Sequence, residues 1–227
     1  MAGPCYNAHH MPEAVVFDLD GVLMDSEQLW NQSKQEVVRE SGGRWREDAP
    51  TAMMGMSSPE WSRYMRDALG VRMAIDEINR AVVERMEQHY REHLPLLPGA
   101  VEVVHSLHRR WPLALASSAN RQIIDFALDA AGLAGAFSAT VSSEEVKHGK
   151  PAPDVYLEAA RRLGVSPDRC VAIEDSSNGL RSAAAAGMAV IAVPNQHYPP
   201  ADDALALAAA CVHALPEITP ELVARLR

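Results

Sequence analysis

AVVFDLDG, residues 14–21, sets four apolar residues directly before two aspartates one residue apart and then a glycine. The apolar run lacks the alternation of a half-exposed strand and reads instead as a strand buried on both faces. Asp18 and Asp20 then lie just past its carboxyl end, with side chains on one face, and Gly21 allows a sharp turn beside them. Taken alone, an Asp-x-Asp at a strand end is equally consistent with turn or capping chemistry. The rest of the chain has to decide.

Three further apolar runs follow, PLALA (112–116), CVAI (170–173) and AVIAV (189–193), with a weaker strand expected near residues 139–142. Between them, residues 121–131, 152–163 and 177–186 carry helical apolar spacing and stop at Gly132, Gly164 and Gly187. Strands alternating with helices predict an α/β fold, a Rossmann-like parallel sheet with right-handed crossovers, whose ligands sit beyond the carboxyl ends of the strands. The stretch from residue 18 to residue 111 is far longer than one crossover needs. It contains helix-like spacing at 28–41, 59–69 and 75–93, with breaks at Gly42-Gly43, Ser57-Ser58-Pro59 and Gly70, and LPLLPG (94–99) leads back. The expected organisation is a core of residues 1–27 and 97–227 with an inserted small helical cap domain, residues 28–96.

A chain of 227 residues can build such a core without disulfides. Its net charge of −9 argues against nucleic-acid or anionic-membrane partners, but not against an anionic small substrate, which local charge decides. Cys5, Cys170 and Cys211 have neither metal nor redox spacing and suggest free thiols in a reducing, cytoplasmic setting. Residues 1–13 lack the apolar segment of a signal peptide, residues 204–212 are too short to span a membrane, and Met11 is a candidate start. The Asn31-Gln32-Ser33 sequon is then unused, and a monomer is the default expectation.

In chain order the strand ends offer Asp18 and Asp20, then Ser117 and Ser118, then Glu174 and Asp175, with Lys150 in HGKPAPD between the last two sets. Individually these are ordinary: a solvated lysine, serines capping a helix near Asn120, an acidic pair capping one at Ser176. Jointly they bring four carboxylates to one sheet edge, where they would repel unless a cation shares the site. An all-oxygen donor set suits Mg²⁺, which accepts a substrate phosphate oxygen. With Lys150 it could neutralise a phosphate dianion, leaving Asp18 placed as nucleophile and Asp20 as the acid and base.

These four pieces resemble the motifs of the haloacid dehalogenase-like hydrolase superfamily: FDLDGVLMDSE, LALAS, GKPAPD and VAIEDSSNG, in that order and over nearly the whole chain. The resemblance implies a Rossmann-like core, a helical cap, and Mg²⁺-dependent transfer through an aspartyl phosphate. It makes Asp18 the nucleophile and a metal ligand, and Asp20 the acid/base with a backbone carbonyl on Mg²⁺. Ser117 and Lys150 would hold the phosphate, and Asp175, with Glu174 beside it, would complete the metal site. Dehalogenation is disfavoured, since that branch lacks the second acid. DSE-x-LW and GKPAPDVY look most like sugar-phosphate phosphatases and β-phosphoglucomutase-like proteins. The mutase pattern has a histidine where this chain has Trp30, an arginine where it has Ser58, and a Lys-Asn pair where it has Asn120-Arg121. Hydrolysis of a small phosphorylated metabolite, a sugar or polyol phosphate, is therefore favoured over the mutase reading, and a receiver-like signalling module is less favoured still.

Gly21, Glu27, Trp30, Gly55, Ser118 and Asn120 are candidate substrate contacts, and Arg121 could bind a non-transferred anionic group. Trp30 is equally readable as a cap-core aromatic. His89 and His93 have a spacing that can bind zinc but no evident third ligand, and Cys5, His9 and His10 lie in a segment better read as a tail.

Overall fold

β1 (Ala14–Phe17) is fully buried and lies at the middle of a parallel sheet. The computed structural model describes residues 11–54 and 56–226. The other strands are β2 (Leu113–Ser117), β3 (Phe137–Ser142), β4 (Cys170–Glu174), β5 (Ala189–Ala192) and β6 (Ala210–Cys211), in the order β3-β2-β1-β4-β5-β6. Every adjoining pair is parallel. The chain moves from β1 to β2 on one side and reaches β4 on the other, so a topological switch point opens at the carboxyl end of β1. Asp18 is the first residue past that end.

Period-two alternation in the strands builds two unlike faces. Val15, Phe17, Leu113, Leu115, Ile173 and Ile191 point to one side. There they meet α5 (Ala100–His108) and α6 (Arg121–Ala130) through Val104, Leu107, Ile123 and Ile124. Phe17 and Phe137 pack edge to face with ring centroids 5.9 Å apart. Ala14, Val16, Ala114, Ala116 and Ala172 point to the other side, and their small side chains let α7 (Asp154–Leu163) and α8 (Ser177–Ala185) approach through Val155, Tyr156, Ala159, Leu180 and Ala183. Gly132, Gly164 and Gly187 all have positive φ and end their helices as the sequence predicts. Two short helices, α9 (Asp202–Leu205) and α10 (Pro220–Arg225), complete the carboxyl-terminal part. Cys170 and Cys211 are free thiols, and Cys5 lies outside the described residues.

The long connection after β1 folds as α1 (Glu27–Glu40), α2 (Ala49–Met53), α3 (Ser58–Asp67) and α4 (Ile75–Glu92). At the start of α3 the Ser57 N–H and Oγ both donate to Glu60 Oε2, at 2.8 and 2.5 Å. α4 packs against α1 and α3, burying Ile78, Val82, Met86 and Tyr90 on its inner face. The outgoing and returning chains run side by side: Asp25 N–H donates to Pro95 O at 2.7 Å, and Leu97 N–H donates to Leu23 O at 3.0 Å. The insertion thereby sits over the carboxyl edge of the sheet. Asn31 Nδ2 reaches Tyr198 Oη on one side at 3.1 Å, and Asn120 Nδ2 reaches Asn79 Oδ1 on the other at 3.0 Å. No described helix is long and apolar enough to cross a membrane.

Candidate active site

Because β2 and β4 flank β1, the residues that end these strands are forced together. Asp18, Glu174 and Asp175 are buried and can each direct a carboxylate oxygen to within 4.8 Å of the others. Lys150, from the loop between β3 and α7, enters among them. Its Nζ donates to Asp18 Oδ1 at 2.7 Å and to Glu174 Oε1 at 2.5 Å. Burial by itself would lower the Lys150 pKa, but the Asp18 and Glu174 carboxylates outweigh it and raise the value above the ordinary lysine range. Lys150 is a fixed cation.

Glu174 is held from every side. Tyr156 Oη donates to its Oε1 at 2.8 Å, with the Tyr156 ring 5.0 Å from Lys150 Nζ, while the Asp175 and Ser176 N–H groups donate to its Oε2 at 3.0 and 3.2 Å. A Cβ on Gly179 would lie 1.8 Å from Glu174 Oε1, so α8 has a glycine where it passes this carboxylate. Gly21 plays the same part for Asp175: its φ is +81°, and a Cβ there would stand 1.9 Å from Asp175 Oδ2. Asn195 Nδ2 donates to that same oxygen at 3.3 Å.

One lysine does not neutralise this cluster. Burial drives Asp18 and Asp175 well above the ordinary carboxylate range; Lys150 opposes the rise at Asp18 while Glu174 and Asp20 add to it, and Glu174 and Asp18 add to it at Asp175. Buried oxygens close together, short of positive charge and crossed by glycines that keep space clear, fit a hard divalent cation such as Mg²⁺. Asp18, Glu174 and Asp175 can each offer it a carboxylate oxygen, and of these Glu174 is also held by Lys150, Tyr156 and two N–H groups.

Asp20 lines the same cavity. Its Oδ1 accepts hydrogen bonds from Ser26 Oγ and, at 3.0 Å, from Trp30 Nε1. Burial raises its pKa, and these two donors pull it back. The indole of Trp30 packs on Trp61, centroids 6.4 Å apart, and Lys34 Nζ stands 5.5 and 5.3 Å from the two rings.

Of the residues singled out from the sequence, Asp18, Asp20, Glu27, Trp30, Ser118, Lys150 and Asp175 line one cavity between the strand ends and the helical insertion. Ser117 is fully buried and its Oγ accepts from Ala119 N–H at 3.0 Å, so Ser118 and Ala119 form the wall at that point. Gly21 donates its N–H to Met24 O at 2.7 Å. Asn120 Nδ2 donates to Asn79 Oδ1 and Glu144 Oε1, tying α6 to the insertion, while its Oδ1 is buried without a partner among the described residues. Gly55 lies outside the described residues, as do His9 and His10. Arg121 is occupied by Glu145, Asp125 and Thr140, away from the cavity. Among the described residues, His89 and His93 join no metal-type cluster.

Sequence reading missed Ser26, Lys34, Tyr156 and Asn195. Lys34 alone left a signal: it falls four residues after Trp30, on the buried stripe of α1, where a lysine is out of place.

Residues 12–187 match the family model of the haloacid dehalogenase-like hydrolases. The chain belongs to that family. It is 35% identical over 179 residues to the phosphorylated carbohydrates phosphatase of Thermotoga maritima, covering 78% of this chain and 82% of that protein. It is 34% identical over 192 residues to the fructose-1-phosphate phosphatase YqaB of Escherichia coli, covering 79% and 95%. The crystal structure of CbbY from Rhodobacter sphaeroides in complex with phosphate superposes with a TM-score of 0.80 at 29% identity, covering 92% of this chain and 96% of that one. The chain is a phosphatase of the haloacid dehalogenase-like family.

Proposed function

We propose that this phosphatase is a Mg²⁺-dependent phosphomonoester hydrolase that works through an aspartyl phosphate on a small phosphorylated metabolite, with sugar and polyol phosphates as the first class to test. The observation that carries the reading is Lys150 bridging Asp18 and Glu174 beside Asp175 at the end of the central strand. Mg²⁺ held by Asp18 and Asp175 would supply the charge that neutralises a phosphate dianion.

The chain's own groups divide the remaining work. Asp18 presents Oδ1 or Oδ2 to phosphorus, and Lys150 Nζ, already hydrogen-bonded to Asp18, stabilises charge on the transferring group. Glu174 and Tyr156 do not face substrate; they fix Lys150 so that little reorganisation is needed when the phosphoryl group arrives. Asp20 gives a proton to the departing alkoxide and takes one from water in the second half-reaction. Ser26 and Trp30 favour its ionised form against burial, which sets the balance between those two tasks. The helical insertion excludes bulk water while the first step proceeds. Trp30 in place of a histidine, and Arg121 turned away from the cavity, support hydrolysis over isomerisation.

The test is phosphate release from a panel of sugar and polyol phosphates, with and without Mg²⁺, by the native chain and by Asp18→Asn. Release that needs both Mg²⁺ and Asp18 is expected. Release at a comparable rate from Asp18→Asn would overturn the nucleophile assignment, and none from any ester would overturn the activity.

A further inference from the structure

Lys34 is 7% exposed and lines the cavity that holds Asp18 and Lys150. It comes from α1, one turn beyond Trp30, and so from the insertion rather than from the sheet edge. Two cations line this cavity among the described residues, and they are not in the same state. Lys150 is committed to two carboxylates. Lys34 has no carboxylate within 4.0 Å among the described residues, and its Nζ stands over the faces of Trp30 and Trp61.

A largely buried ammonium with no carboxylate in contact is unfavourable unless something else uses it. Burial lowers the Lys34 pKa, and Glu27 and Asp20 only partly restore it. The two indole faces stabilise a cation modestly and leave its N–H donors without an anionic acceptor. Pro50, Met53 and Met56 make part of the lining apolar, and Glu27, Asn31, Ser118 and Ser176 add polar groups to it, so Lys34 is the uncommitted cation available to an oxyanion in this cavity.

We propose that Lys34 is a specificity residue that binds a second oxyanion, a carboxylate or a second phosphoryl group, at the end of the substrate remote from the transferring phosphate. This rests on the phosphomonoesterase reading and narrows its substrate class to doubly anionic phosphate esters. Phosphoryl chemistry is unchanged. Lys34 acts by holding the non-reacting end, so its effect falls on which ester is accepted.

Non-hydrolysable phosphonates test this on the intact Mg²⁺-loaded protein by calorimetry, independently of turnover. The probes are alkylphosphonates of two to five carbons, their ω-carboxy counterparts and the matching diphosphonates, each pair differing only in the terminal group. A charge-assisted contact predicts that the best-fitting carboxy or diphosphonate member binds about tenfold or more tighter than its alkyl partner. That ratio should collapse towards one in Lys34→Met and persist in Lys34→Arg; if Lys34→Met is not folded by circular dichroism, Lys34→Gln reads the same ratio. Whether the carboxylate or the diphosphonate arm shows the preference identifies the group. A ratio near one in the native protein, or one unchanged in Lys34→Met, overturns the assignment. Preference without phosphate release from any ester overturns the phosphatase reading and leaves Lys34 standing. Release without preference does the reverse.

Discussion

Replacing Trp30 with phenylalanine removes one hydrogen bond and little else. The indole N–H donates to Asp20 Oδ1 at 3.0 Å, while the ring packs on Trp61 and beneath Lys34, contacts a phenyl ring largely keeps. A hydrogen bond to a charged acceptor contributes about 1.5–3 kcal/mol, and one pKa unit corresponds to about 1.4 kcal/mol. Ser26 still donates to the same oxygen, which argues for the lower end. The donors favour ionised Asp20, so losing one raises its pKa by about one unit. In the proposed mechanism Asp20 carries a proton in the first half-reaction, and loss of that proton shapes the alkaline limb of kcat/KM against pH. Trp30→Phe should move that limb about one pH unit upward, and should slow turnover at low pH, where the second half-reaction needs Asp20 ionised. Steady-state rates at saturating Mg²⁺ across the pH range, with a thermal melt to show the fold intact, give the answer. An alkaline limb that stays in place, or moves down, in a folded variant would refute the claim that Trp30 tunes Asp20.

Gly21→Ala forces a left-handed conformation, costing about 1–2 kcal/mol, and drives a methyl group onto Asp175 Oδ2. It should lower thermal stability and weaken Mg²⁺ affinity together; an unchanged Mg²⁺ titration would contradict the role given to Asp175. Mg²⁺ binding should release protons and weaken as pH falls, because the metal competes with protons that burial holds on Asp18 and Asp175. The sign for stability follows. Without metal the folded chain binds more protons than the unfolded one, so its stability falls as pH rises from the ordinary carboxylate range through the raised values, and Mg²⁺ should flatten that slope. Calorimetry in buffers of different ionisation enthalpy and melts with and without Mg²⁺ check both; no proton release would contradict it.

The sheet was legible because its strands are continuous apolar runs, which only burial on both faces explains. β1, β2, β4 and β5 fall within a residue of the expected bounds. β6 was not: two residues in an alanine-rich tail carry no β-branched signal, and only pairing with β5 defines them. α2 escaped because five residues with a proline near the start give no usable period. At the site, residues next to strand ends in sequence could be read, since chain geometry alone puts them at the edge. Residues that act through tertiary contact could not. Nothing local says that Tyr156 lies against Glu174 or that Asn195 meets Asp175. Ser117 and Ser118 show the limit from the other side, since sequence brings both to the edge and only the backbone turn after β2 decides which one faces the cavity.

The proposed mechanism requires Asp18 to carry the phosphoryl group. Asp20→Ala, mixed with Mg²⁺ and a phosphorylated substrate, quenched rapidly in acid and mapped by peptide mass spectrometry, reads this directly. The expected result is one phosphoryl group per chain on the peptide containing residues 14–21, located at Asp18 and absent when Asp18 is also changed to Asn. Phosphate released with no phosphorylated chain at any quench time, or a phosphoryl group on another residue, would contradict it.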